Sequence, residues 1–164
     1  MVDINKFIQE SNAIEGVHSE AAVDTTLNAW SYLQEQDELT HTTVKKAHEY
    51  ILENRQPGIA GKYRDVMVRV GSDRPPKPEV VEQKMAELLE WMPADTVEAI
   101  QWHVIFEQIH PFQDGNGRIG RLLYLWHCVE VLDTSPVVWR ASDRQGYYSL
   151  FQSEIDLEQK KEDD

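Results

Sequence analysis

Apolar positions recur at helical spacing along most of the chain, and the interruptions mark where one helix gives way to the next. Ile4, Phe7, Ile8, Ser11 and Ile14 share one face of a first short helix, and Gly16 suits the left-handed position that commonly closes one. Val23, Leu27, Trp30 and Leu33 give a second helix a core-facing side, as Val44, Ala47, His48, Ile51 and Leu52 do for a third. Pro57, Gly58 and Gly61 then break the pattern. Between Tyr63 and Val70 the period changes: Val66, Val68 and Val70 alternate with polar or flexible residues, as in a half-exposed strand, and Gly71 to Pro76 reads as a turn. Pro78 suits the first turn of a helix carrying Val81, Met85, Leu88, Leu89 and Met92, which Pro93 ends. Asp95 with Glu98 resembles a capping box and opens a helix carrying Ile100, Val104, Ile105 and Ile109. Leu122, Leu123, Leu125, Trp126, Val129 and Leu132 cover nearly every side of the next helix, which predicts central burial. A last helix from about Ser142 carries Tyr147, Tyr148, Phe151 and Ile155. The pattern predicts helices broken by one extended excursion.

Composition narrows the class. With 164 residues, 41% of them hydrophobic and 27% charged, the chain has the size and usage of one globular domain, and no internal repeat is evident. A net charge of -13 would repel a phosphate backbone, so nucleic acid is an unfavourable partner. Much of the charge reads as solubility, and residues 158–164 read as a solvated acidic tail. No apolar run approaches the roughly 20 residues of a spanning helix, and the first residues lack a basic start followed by an apolar stretch. The expectation is a cytoplasmic chain with no membrane partner. The single cysteine, Cys128, lies in an apolar helical stretch and reads as a core thiol.

One segment has a composition that structural needs do not explain. His110 to Arg121 combines an imidazole, a carboxylate, a Gly-Asn-Gly turn and two guanidiniums between two apolar helices. The first turn of a helix presents unpaired N–H groups and partial positive charge, so Gly115, Asn116 and Gly117 could cradle phosphate oxygens. Arg118 and Arg121, three residues apart on one helix face, could hold further phosphates. Asp114 beside an anion site calls for a cation between the two, and magnesium favours one or two carboxylates plus substrate phosphates. His110 titrates near neutrality and could take a proton from an attacking hydroxyl. No Gly-Lys-Ser/Thr follows the glycines, so this is not a Walker loop, and no His or Cys set has zinc-ligand spacing.

The string His110-Pro-Phe-Gln-Asp114-Gly115-Asn116-Gly117-Arg118-Ile-Gly-Arg121 resembles the signature of the Fic domain family at every defined position. Gly61-Lys-Tyr-Arg64 and the segment to Pro76 resemble that family's target-docking flap, and the likeness extends over roughly residues 40 to 155. The resemblance implies an all-α bundle with a short β-hairpin flap, spanning 1–164 as a single domain. It implies transfer of AMP from ATP to a Ser, Thr or Tyr hydroxyl of a target protein, with Mg2+ bridging the departing diphosphate. By position it makes His110 the base, Asp114 the metal ligand, Gly115, Asn116 and Gly117 the anion hole, and Arg118 and Arg121 the holders of the β and γ phosphates. Tyr147 and Tyr148 stand where relatives place aromatic residues near adenine, although a Tyr pair there also suits ordinary core.

Ser11-Asn-Ala-Ile-Glu15-Gly16 resembles the family's inhibitory motif, here in an N-terminal helix over residues 1–18. By residue type alone Glu15 reads as a solvated carboxylate near a helix end, where its charge opposes the dipole. Joined to the motif at 110–121, it is expected to pair with Arg121 and hold the protein in a low-activity state. Other readings are AMP removal, phosphotransfer on the same fold, and a non-catalytic nucleotide-binding regulator. A homo-oligomer is compatible with the sequence.

Overall fold

The structure, a computed structural model, describes residues 2–52, 56–71 and 73–151. Six α-helices follow one another: α1 (Ile4–Ile14), α2 (Glu20–Gln34), α3 (His41–Leu52), α4 (Pro78–Leu89), α5 (Thr96–Ile109) and α6 (Asn116–Trp126). A π-helical turn, His127–Val131, extends α6, and a 3-10 turn, Ala141–Asp143, leads into helical residues 144–151. The predicted Ile155 contact and the acidic tail lie outside the described residues.

The helix boundaries have local causes. Asp3 and Ser19 cap α1 and α2 by accepting from the backbone N–H of Lys6 and Ala22. Gly16, at φ 71°, ends α1, and the bond from Val17 N–H to the Asn12 carbonyl closes the turn in Schellman fashion. The Asp95 side chain accepts from Glu98 N–H at 2.8 Å. Glu98 reaches back to the N–H of Ala94, one residue earlier than a capping box requires, at 2.6 Å.

The core runs through the middle of the bundle, with α6 at its centre. Every residue of α6 except Gly117 is buried, as the all-round apolar pattern predicts. α5 packs along α6, α2 along α3, and α1 bridges α2 and α6. Two tryptophans lock neighbours through their indole N–H: Trp126 to the Leu33 carbonyl at the end of α2, and Trp102 to the Leu88 carbonyl at the end of α4. Cys128 is fully buried, as expected of a core thiol. Met92 and Ile105, placed on apolar faces by their spacing, are instead exposed.

The expected β-hairpin flap does not form as strands. Among the described residues there is no strand, only an isolated antiparallel bridge between Val70 and Asp73 across the turn at Gly71. The physical reason is that nothing covers the alternating valines: Val66 and Val70 are exposed, and a lone hairpin without a buried face is marginal in water. The segment is held instead at its ends by one side chain. Arg64, 4% exposed, donates to the Val66 carbonyl at 3.0 Å and the Pro76 carbonyl at 2.6 Å, closing the excursion into a loop.

Candidate active site

α5 ends at His110, which adopts the left-handed conformation at φ 50°, ψ 61°. An L-residue with a side chain is strained there, so the conformation must be held by its surroundings. Arg64 holds it. Its Nε donates to the His110 carbonyl at 2.6 Å, its Nη2 to the Ile109 carbonyl at 3.2 Å, and its backbone N–H to Pro111. The sequence pattern quoted Arg64 only as part of the flap and gave it no part in the site.

The loop that follows is stapled by Asn116. Its Oδ1 accepts from the Phe112 N–H at 2.9 Å and its Nδ2 donates to the Phe112 carbonyl at 2.7 Å, so the side chain closes the turn from Phe112 to the start of α6. Gly115, at φ 82°, takes the left-handed position before α6. The N–H groups of Asn116 and Gly117 lie in the first helical turn, where no preceding carbonyl can accept them. The anion cradle expected from the sequence would draw on these two groups.

His48, a core-spaced histidine on α3 to which the sequence reading gave no chemistry, supports this loop from below. Its ring stacks on Phe112 with centroids 3.7 Å apart. Its Nδ1 accepts from the Gly61 N–H at 2.9 Å, which leaves the proton on Nε2 for the Asp114 carbonyl at 2.8 Å. Burial lowers its pKa to about 4, so the ring stays neutral and this tautomer persists. One imidazole therefore ties Gly61 to the loop that holds Phe112 and Asp114.

Asp114 is exposed at the mouth of the site. Oδ1 accepts from the Gly115 N–H and Oδ2 from Gln56 Nε2, each at 2.8 Å, and both oxygens keep lone pairs for a cation. Among the described residues no cluster of three or more His, Cys, Asp or Glu could hold a metal by itself. A single carboxylate beside an anion cradle suits magnesium that is held mainly by substrate phosphates.

The His110 ring places Nδ1 3.3 Å from the Glu107 carbonyl. The proton on Nδ1 then points to the backbone and Nε2 is left with its lone pair. Burial lowers the His110 pKa, with the Arg64 charge acting in the same direction, while the Glu107 carbonyl, Glu15 and Asp114 act against them.

Arg118 and Arg121 project from the first turns of α6, 6% and 1% exposed. The Gly115 backbone lies against the Arg118 guanidinium. Arg121 is gripped by α1: its Nε donates to Ser11 Oγ at 2.7 Å, and its Nη2 to the Ser11 carbonyl at 3.0 Å and to Glu15 Oε1 at 2.9 Å. The Glu15 carboxylate also fills the space directly over Gly117, where any side chain would collide with Glu15 and Arg121 together. An anion from the protein itself thus lies against both the cradle and the second arginine. The adjacent tyrosines separate. Tyr147 is buried with its hydroxyl on Arg121 and His103, whereas Tyr148 is partly exposed.

The Fic/DOC family profile matches residues 38–128. The chain belongs to that family. Among curated Fic relatives, the protein adenylyltransferase fic-1 of Caenorhabditis briggsae is 35% identical over 130 residues, covering 75% of this chain and 25% of the relative. The protein adenylyltransferase Fic of Nematostella vectensis is 31% identical over 151 residues, 87% of this chain and 34% of the relative. The chain therefore spans about a quarter to a third of the length of these Fic relatives. Two solved Fic structures share the fold: a Fic domain containing signaling protein from Bacteroides thetaiotaomicron, with TM-score 0.77, 21% identity and coverage of 90% of this chain and 70% of that one, and Fic-1 from C. elegans, with TM-score 0.73, 23% identity and coverage of 92% and 55%.

Proposed function

We propose that this chain transfers AMP from ATP to a hydroxyl side chain of a target protein, and that Glu15 inhibits the transfer. The observation that carries the reading is that the left-handed His110, the turn stapled by Asn116 and the buried Arg118 and Arg121 follow one another inside the segment that the Fic/DOC profile matches. The relatives that match it are named protein adenylyltransferases.

In the proposed reaction Asn116 and Gly117 hold phosphate oxygens through backbone N–H groups, Gly115, whose own N–H goes to Asp114, lets the phosphates approach the backbone, and Arg118 and Arg121 hold the β and γ phosphates. His110 Nε2 takes the proton from a Ser, Thr or Tyr hydroxyl of the target as its oxygen attacks the α phosphorus. A new oxygen–phosphorus bond forms, the bond from the α phosphorus to the α,β-bridging oxygen breaks, and diphosphate leaves with that electron pair. Mg2+, held by Asp114 and the phosphates, would supply charge neutralisation for the leaving group. The stretch with exposed Val66, Met67 and Val70 is the surface on which a target segment is expected to lie. The Glu15 carboxylate competes with the γ phosphate for Arg121 and crowds the cradle at Gly117. ATP then lies out of line, and misplacement of about 1 Å can cost on the order of 10² in rate.

The test incubates wild type, Glu15→Gly and Glu15→Gly/His110→Ala with magnesium and ATP labelled at the α or γ phosphate, and reads label on protein. Label from the α position only, and only in Glu15→Gly, is expected. Label from the γ position would replace this reading by phosphotransfer. Absence of both labels with nucleotide still bound would leave AMP removal or a binding role.

A further inference from the structure

Arg121 has five N–H groups to place. Three go to α1: one to Ser11 Oγ, one to the Ser11 carbonyl and one to Glu15 Oε1. A fourth, from Nη1, goes to the Tyr147 hydroxyl at 3.1 Å, and the Tyr147 ring lies 5.2 Å from the guanidinium carbon. Tyr147 is 2% exposed, and its hydroxyl is 2.7 Å from Nε2 of the fully buried His103. A guanidinium only donates, so the Tyr147 oxygen accepts from Arg121, and the contact with His103 Nε2 ties the same hydroxyl on a second side. Burial keeps His103 neutral, with its pKa lowered to about 3, and raises that of Tyr147, so neither partner titrates near neutrality. The chain of contacts from Arg121 through Tyr147 to His103 therefore stays uncharged beyond the guanidinium.

We propose that Tyr147, oriented by His103, is the positioning residue that keeps Arg121 aimed at the terminal phosphate of ATP after Glu15 has released it. This rests on the reading of Arg121 as the γ-phosphate holder. Every other hydrogen bond described for Arg121 comes from α1, the element whose Glu15 must give way for ATP to be held. Tyr147 and His103 stand on the helical residues 144–151 and on α5, outside α1, and the one side-chain tie described from α1 to the turn before residues 144–151 is Glu10, which accepts from the Ala141 N–H and lies apart from Glu15. The adenine role anticipated for Tyr147 is ill suited to a hydroxyl committed on two sides, and the partly exposed Tyr148 keeps that possibility to itself.

The test is binding rather than turnover, so its result separates from that of the labelling experiment. Affinities for ATP and ADP with magnesium are measured by calorimetry for Glu15→Gly and Glu15→Gly/Tyr147→Phe. Tyr147→Phe keeps the ring and its packing and deletes the hydroxyl. ATP is expected to bind about tenfold more weakly, the scale of one lost hydrogen bond to a charged group, while ADP, which lacks the γ phosphate, is unchanged. The same pair compared in an added Arg121→Ala background should show no further loss of ATP affinity. His103→Gln, which offers an acceptor to the Tyr147 hydroxyl, should bind ATP more tightly than His103→Phe. Equal weakening of ATP and ADP, no weakening of either, or persistence of the effect without Arg121 would overturn the proposal. Loss of AMP transfer in Glu15→Gly with the ATP-selective effect intact would instead count against the proposed reaction alone.

Discussion

Replacing Glu15 should move stability and nucleotide affinity in opposite directions, which an ordinary surface substitution would not do. The carboxylate lies 2.9 Å from Arg121 Nη2, and its side chain is 37% exposed whereas the arginine side chain is 1% exposed. At that distance and an effective dielectric of 20 the gross attraction is roughly 5 to 6 kcal/mol. Solvent reaches the carboxylate, and desolvation of the guanidinium offsets much of the remainder, so the net value is about 1 to 2 kcal/mol. Glu15→Gln keeps shape and helix-end packing but removes the charge. It should lower Tm by several degrees through that 1 to 2 kcal/mol. It should also raise ATP affinity by roughly 5- to 30-fold, because the γ phosphate no longer displaces a bound anion. Thermal melts with and without ATP, together with calorimetry against ATP and ADP, read both effects. A variant that melts lower and binds ATP no better would mean that Glu15 braces α1 without competing for the phosphate site.

Three further outcomes follow from the same geometry. Because His110 acts unprotonated and burial lowers its pKa, the acidic limb of the rate profile of Glu15→Gly should fall below pH 6.5, as initial rates across a buffer series would read. Stability should peak near pH 6.5: His48, His103 and His127 have pKa values lowered to about 4, 3 and 4 by burial, so the unfolded chain binds more protons below 6.5 and stability falls with acid. Glu107, whose Oε1 is buried without a hydrogen-bond partner, has its pKa raised by burial to about 8, so the folded chain holds the extra proton between 4.5 and 8 and stability declines towards alkali, each group contributing up to about 1.4 kcal/mol per pH unit. Denaturant melts from pH 4 to 8 would refute this if stability rose steadily through 7. Arg64→Met should cost about 2 to 4 kcal/mol and at least tenfold in the kcat of Glu15→Gly, since it frees four carbonyls and relaxes the left-handed His110; retention of full kcat in a folded protein would refute the bracing role.

Much of this was legible in the sequence because it is local. The start and stop signals at Gly16, Pro78 and Asp95, the all-round apolar α6, and the motif from His110 to Arg121 depend on neighbours within a few residues. What was not legible depends on contacts across the chain. The valine alternation at 66–70 has the period of a strand, but a strand needs a covered face and a partner, and period alone supplies neither. His48 and His103 sit at core spacing, and nothing in their own helices reveals that one holds the Asp114 carbonyl and the other the Tyr147 hydroxyl. Arg64 stood inside a quoted motif, yet its hold on His110, 46 residues on, appears only when the chain is folded.

The contact between Glu15 and Arg121 has a bounded strength, and under the proposed inhibition that bound says how it would be relieved. In the proposed inhibition Arg121 is the shared resource: its Nη2 donates to Glu15, and a γ phosphate held by Arg121 would compete for that group. If the pair is worth a net 1 to 2 kcal/mol, the uninhibited arrangement is already present at roughly 3 to 20% without any effector, by the Boltzmann relation between free energy and population. A partner that binds the chain with α1 drawn aside then needs a differential affinity of only about 10² to 10³ to make the active arrangement dominant. Ser11 sets a further condition. It supplies two of the three α1 contacts to Arg121, and these are compatible with a bound phosphate, so a modest displacement of the helix end at Glu15 suffices whereas removal of all of α1 would also strip the support that Ser11 gives. Truncation of α1 should therefore release less activity than Glu15→Gly, and a truncated protein more active than Glu15→Gly would show that Ser11 restrains Arg121 instead of supporting it.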